Sequence, residues 1–127
     1  MRVLFLGDVM GRAGRDAVKK NLKNLKQSLS LDFVIVNAEN ATAGFGLSIA
    51  HANELLDSGV DCLTLGDHAF DQKDMTSGIL SEPRIIRPIN FARSAPGKGA
   101  QYFDLPTGKK ILVIQVLGQV FMKRVFE

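Results

Sequence analysis

Three short apolar runs constrain this chain more than any other feature. Val3-Leu4-Phe5-Leu6, Phe33-Val34-Ile35-Val36 and Val60 to Leu65 are nearly unbroken, and a glycine or polar turn follows each. Runs of that length and character mark strands buried on both faces. The segments between them have helical spacing. Val18, Leu22, Leu25 and Leu29 form one stripe over about Arg15 to Leu29, with Lys19, Lys20, Lys23 and Lys26 largely opposite. Ser48 is placed to cap a second helix running to about Ser58, with Ile49, Ala52, Leu55 and Leu56 inward and Gly59 at its end. Asp71 offers an N-cap for a short third helix ending near Leu80. This β-α-β-α-β-α order predicts a parallel sheet with right-handed crossovers.

The pattern then changes. Pro83, Pro88 and Pro96 punctuate an irregular stretch. Tyr102 to Leu105 and Lys110 to Leu117 read as strands of a hairpin turned at Pro106-Thr107-Gly108. Val120 to Glu127 is a short mixed tail in which Phe121 and Met122 are expected to cover apolar surface. No repeat, low-complexity segment or linker divides the chain, so residues 1–127 are expected to form a single domain. No closing helix follows the last strand, which leads to the expectation that this domain is truncated.

Composition excludes several classes. At 46% apolar and 23% charged residues, the chain is neither disordered nor fibrous. No apolar run approaches the ~18 residues of a membrane span, so no membrane association is expected. The single cysteine, Cys62, rules out an intrachain disulfide framework and a Cys-rich zinc site, and points to a reducing, cytoplasmic setting. Charge is unevenly distributed: +5 over residues 1–31, −8 over 32–83 and +6 over 84–127. An acidic centre between basic flanks suits a cation site that handles an anionic substrate, although Lys-rich helix surfaces produce the same pattern.

Parallel sheets bind ligands beyond the carboxyl ends of their strands. Here those ends carry Gly7-Asp8-Val9-Met10-Gly11-Arg12, Asn37-Ala38-Glu39-Asn40 and Gly66-Asp67-His68. Asp8, Glu39, Asn40, Asp67 and His68 are therefore expected to converge on one edge. Carboxylates gathered there would repel unless protonated or neutralised by a cation, and oxygen donors favour Mg, Mn or Fe. Asp8 alone reads equally well as a turn or N-cap residue, and His68 alone as a structural histidine. Glu39 is harder to dismiss, because glutamate is a poor turn former.

Other candidates carry less. Gly7, Gly11 and Gly14 lack the dinucleotide spacing, and no nucleotide-triphosphate loop is present. Arg12 is open to both a phosphate contact and simple solvation. Ala43-Gly44-Phe45-Gly46 reads as a loop rimming the site, His51 as structural and Cys62 as core. No aromatic-and-basic sheet pattern appears, so stable nucleic-acid binding is not expected.

Taken in order, Gly7 to Arg12, Asn37 to Asn40, Gly44-Phe45-Gly46 and Leu65 to His68 resemble YmdB-like metallophosphoesterases. Arg84 to Asn90, Pro96 to Gly99 and Val116 to Met122 extend the resemblance over nearly the whole chain. It implies an α/β fold, the N-terminal half of a calcineurin-like sandwich with a parallel β-α-β-α-β unit and a hairpin. It implies a two-metal centre of Fe or Mn and phosphodiesterase activity on cyclic nucleotides such as 2′,3′-cyclic AMP. By position, Asp8, Glu39, Asn40 and Asp67 match metal ligands, with Glu39 the bridge, and His68 matches the residue that assists the chemistry. Two departures stand out. The family motif usually reads Gly-Asn-His where this chain has Gly66-Asp67-His68. The later Gly-x-His-x-His-type segment is absent, and the only histidines are His51 and His68.

Three functions compete at this level. One is a metal-dependent phosphodiesterase, or half of one, acting on a phosphodiester or cyclic-nucleotide substrate. Another is an inactive fragment or interaction module, present as a homo-oligomer or paired with a missing C-terminal half. The third, from β-α alternation alone, is a flavodoxin-like binding module.

Overall fold

The computed structural model describes residues 1–122. Its elements run β1 (Val3–Leu6), α1 (Gly11–Ser28), β2 (Phe33–Asn37), α2 (Ile49–Asp57), β3 (Cys62–Thr64), α3 (Met75–Gly78), β4 (Ile85–Ile86), β5 (Ala100–Asp104) and β6 (Lys110–Ile114). The first four strands form a parallel sheet in the order β1-β2-β3-β4, and β5 and β6 form a separate antiparallel pair. The α/β class, the three parallel strands and the hairpin match the sequence reading.

β2 and β3 are largely buried on both faces because the sheet is covered on both sides there, whereas β1, expected to be buried on both faces, is an edge strand whose Val3 and Phe5 stay exposed because the second layer does not reach it. Leu4 and Leu6 pair with Val34 and Val36, and Val36 with Leu63. These residues share a core with Val18 and Leu22 of α1 and Ala52, Leu55 and Leu56 of α2. The alternate residues Phe33, Cys62 and Ile86 pack on the other side against Leu105 and Val113 of the hairpin segment. The Phe33 and Phe103 rings meet there with centroids 5.0 Å apart. Period-2 alternation thus splits each run between a helical layer and a second sheet.

Several boundaries differ from the sequence reading. β4 lies inside the stretch read as irregular; a two-residue strand is too short to show periodicity. Helix α1 starts at Gly11 rather than Arg15, and its N-cap, Met10, makes no side-chain cap bond, so no capping signal marked its start. Leu29 is exposed, while Arg15 is buried: its guanidinium donates to the Ala41 carbonyl and lies 3.6 Å from the Glu54 carboxylate. Asp71 caps no helix; α3 is a single turn preceded by Asp74. Strand β6 ends at Ile114, three residues before Leu117, whose N–H donates to the Asn90 side chain. Phe121 is fully exposed at a positive φ of 62° and covers nothing. The rest of the expected tail, residues 123–127, lies outside the described residues.

The hairpin spans fewer strands than the sheet it covers. Val3 and Phe5 point to the same side as Phe33 and Ile35, yet both are exposed. The outer hairpin face is also apolar, with Tyr102, Leu112 and Ile114 open to water. An open groove of about 890 Å³ runs along α1 beside β1, lined by Phe5, Leu6, Val9, Met10, Ala17 and Leu25 among others.

The core makes two checkable demands. Leu63 is fully buried in β3, so Leu63→Ala should cost ~2–5 kcal/mol in urea unfolding, whereas Leu112→Lys should change stability by no more than ~0.5 kcal/mol. Burial, with a smaller contribution from the Asp61 charge, pushes the Cys62 thiol up to about 12. It should resist thiol reagents at pH ~8 until the chain unfolds, as an Ellman assay will show.

Candidate functional site

The ladder continues laterally beyond the strands. Val9 N–H donates to the Asn37 carbonyl at 3.0 Å, Ala38 N–H to Thr64 at 2.9 Å and Leu65 N–H to Ile86 at 2.9 Å. A further bond joins Gly11 N–H to the Asn40 carbonyl at 2.9 Å. These bonds tie the segments carrying Asp8, Glu39 and Asp67 side by side, on the edge that parallel strand order requires.

Within that edge the side chains form two adjoining pairs. Asn40 donates through Nδ2 to Asp8 Oδ1 at 2.7 Å. Asp8 itself has a φ of 46°, a conformation that Asp and Asn tolerate better than most residues. The turn reading and the site reading of Asp8 therefore both hold a share: it makes the turn, and its carboxylate faces Asn40 rather than a helix N-terminus. Glu39 meets Asp67. Burial, then the hydrogen bond to the Asp67 carboxyl, raises the Glu39 pKa above its ordinary value. Asn37 Nδ2 donates to Glu39 Oε1 at 3.2 Å, and the His68 backbone N–H also donates to Glu39. Both act in the opposite direction, holding the charged form.

His68 stands beside this pair, with Nε2 3.9 Å from Asp67 Oδ1. Its Nδ1 lies 2.6 Å from Asp71 Oδ2. That bond, aided by the charges of Asp67, Asp71 and Glu39, holds the His68 pKa above the usual imidazole value. The ring is one-third exposed and so within reach of a ligand. Asp71 thus orients the histidine instead of capping a helix. The signal was a His and an Asp three residues apart on one tight turn.

Gly66 is the second residue that the sequence reading undervalued. A Cβ there would overlap the Glu39 carboxylate, so any other residue would push that carboxylate out of its present place. The other candidates sort simply. Arg12 is solvated and lies 3.5 Å from Asp16. His51 is tied by Nδ1 to Thr42 Oγ1 at 2.8 Å, and Cys62 is core. The loop of Gly44, Phe45 and Gly46 borders the site, with the Phe45 ring edge-on to His68 at 5.6 Å.

Among the described residues, no three His, Cys, Asp or Glu side chains gather tightly enough to enclose an ion by themselves. The donor set nevertheless fits a hard divalent cation. Its atoms are carboxylate and amide oxygens, and a cation between Glu39 and Asp67 would relieve the repulsion of their charges.

A family model described as YmdB-like protein matches residues 4–127. The chain belongs to the YmdB-like family. It is 41% identical over 122 residues to a 2′,3′-cyclic-nucleotide 2′-phosphodiesterase of Bacillus subtilis (strain 168), covering 96% of this chain and 46% of that protein. It is 39% identical over 122 residues to a protein of Mycoplasma pneumoniae named as a phosphatase/phosphodiesterase, covering 93% of this chain and 43% of the relative. A crystal structure of a hypothetical protein from Thermus thermophilus matches with a TM-score of 0.91 at 38% identity, over all of this chain and 49% of that one. A novel phosphatase from Mycoplasma pneumoniae matches with a TM-score of 0.87 at 37% identity, over 98% of this chain and 45% of that one. The chain spans about half the length of the relatives it matches. No helix among the described residues is long and apolar enough to cross a membrane.

The raised Glu39 pKa fixes the sign of a pH effect. The folded state binds the Glu39 proton more tightly than the unfolded chain, whose value is near 4.5. Its contribution is therefore fully present below that value and is lost as pH rises through the folded pKa. Without metal, thermal stability should fall over that interval, and Glu39→Gln should remove this component. Mn²⁺ should restore stability above the interval, adding ~2.7 kcal/mol at one hundred times its Kd. Calorimetry at stepped pH, with and without Mn²⁺, checks both.

Proposed function

We propose that this chain carries the carboxylate side of a divalent-metal phosphodiesterase centre that acts on 2′,3′-cyclic nucleotides or related phosphodiesters. The observation that supports it most is the meeting of Glu39 with Asp67 beside His68, with the Asp8–Asn40 pair on the neighbouring loops. Asp8, Glu39, Asn40 and Asp67 would hold Fe or Mn, with Glu39 set between the loops as a bridge. When bound, such ions polarise phosphoryl oxygens and lower the pKa of attacking water. His68, whose pKa the Asp71 hydrogen bond raises, would donate a proton to the leaving oxygen. Asn40 would keep the Asp8 carboxylate aimed across the edge.

A second reading, an interaction module retaining this part of the fold, is favoured by the apolar faces of β1 and the hairpin. Those faces support association with a second copy or with a polypeptide equivalent to the rest of its relatives. A two-metal centre needs both ions ~3.5–4 Å apart, and the histidines that would fix a second ion are missing from this sequence. The 127-residue chain, supplied with Mn²⁺ or Fe²⁺, should therefore hydrolyse 2′,3′-cyclic AMP slowly or not at all. Adding in trans the portion of the Bacillus subtilis relative that lies outside the match should restore turnover, and Glu39→Ala should abolish what is restored. Strong turnover by the chain alone, or restored turnover indifferent to Glu39→Ala, would overturn this assignment.

A further inference from the structure

Phe45 is exposed and yet held in place. It is 61% accessible to water although the turn that carries it is fixed beside a polar site. The turn is closed by two backbone bonds, Thr42 N–H to the Gly46 carbonyl and Phe45 N–H to the Thr42 carbonyl, each 2.9 Å. Gln72 Nε2 donates to the Phe45 carbonyl at 2.7 Å, fastening the turn to the segment that carries His68 and Asp71. Gly44 and Gly46 both have positive φ, 88° and 73°. A Cβ at Gly46 would press on the His68 carbonyl and the Asp71 and Gln72 side chains, so the turn lies flush against the His68 segment. None of these restraints buries the ring. Its one aromatic neighbour among the described residues is His68, edge-on at 5.6 Å and 75°.

We propose that Phe45 is the platform of a nucleobase subsite, against which the base of a nucleotide phosphodiester stacks while its phosphate sits at the carboxylate edge. This deepens the phosphodiesterase reading and rests on it. The geometry assigns the order: carboxylates, then His68, then Phe45, so the ribose lies past the histidine and the base over the phenyl ring. A preheld aromatic face loses little entropy on stacking, and stacking accepts any base, because every base has a π-face. The subsite therefore confers preference for nucleotides over other phosphodiesters, without choosing among bases. Single exposed aromatics are ordinary on protein surfaces, but one fixed by a side-chain bond from the neighbouring segment and set against the site histidine is a placed group.

The test is an NMR titration of the full chain in Mg²⁺ buffer with two probes, adenosine 2′-monophosphate and ribose 5-phosphate. The nucleotide should shift the Phe45 and His68 ring signals and bind at least about tenfold more tightly than the sugar phosphate. Phe45→Ala should erase that difference while leaving ribose 5-phosphate binding unchanged, and Phe45→Trp should retain it. Because the ring is exposed, both variants should fold, with Cys62 still resistant to thiol reagents as the check. Equal affinities, a preference that survives Phe45→Ala, or no binding of either probe would overturn the subsite. Binding of both phosphates without base preference removes the subsite and leaves the phosphodiester reading standing. Base-dependent binding by a protein that never hydrolyses a cyclic nucleotide, even with the other half supplied, keeps the subsite and removes the catalytic reading.

Discussion

The lateral hydrogen bonds that outlast the strands are what the site depends on. A parallel ladder ordinarily stops where its strands diverge into helices. Here the bonds from Val9 to Asn37, Ala38 to Thr64 and Leu65 to Ile86 carry pairing into the turns. Each turn then leaves the sheet at the same height, and charged side chains from separate parts of the chain are forced together. The core beneath, from Leu63 and Val36 to Leu22 and Leu55, holds the sheet that carries these turns in place.

The tension in that edge is electrostatic. The half-buried Glu39 meets the more exposed Asp67, and glycine at position 66 leaves the space that the Glu39 carboxylate fills. Crowding that raises the Glu39 pKa is crowding that a cation would relieve. Asp71 on one side and Asn40 on the other fix His68 and Asp8, so the polar groups have few rotamers left to choose. Such preorganisation suits the proposed phosphodiesterase role, since positioning and charge supply most of the rate in that chemistry.

Much of this was legible before any coordinates. The three apolar runs announced parallel strands, although β1 lies at the sheet edge with Val3 and Phe5 exposed, and parallel strands place their carboxyl-end turns together, so Asp8, Glu39, Asn40, Asp67 and His68 could be placed on one edge from order alone. The pairing within the set could not. Which carboxylate meets which partner depends on turn geometry, such as the positive φ of Asp8, that no periodicity encodes. β4 was hidden because two residues carry no pattern, and the first turn of α1 because Met10 makes no side-chain cap bond. Asp71 looked like a cap because capping and histidine orientation use the same short acidic side chain. The buried Arg15 was masked by its place in a lysine-rich helix; its task shows in its partners, the Ala41 carbonyl and the Glu54 carboxylate.

The central claim is that Asp8, Glu39, Asn40 and Asp67 act together toward one kind of ligand, a divalent cation. Paramagnetic broadening of backbone amide signals by substoichiometric Mn²⁺ tests it most directly. The account predicts that the amides of Asp8, Glu39, Asn40, Asp67 and His68 broaden first and together, and that those of Asp16, Glu54 and Asp104 keep their linewidths. Broadening that follows surface carboxylates such as Asp16 and Asp104, or that spares Glu39 and Asp67, would contradict it.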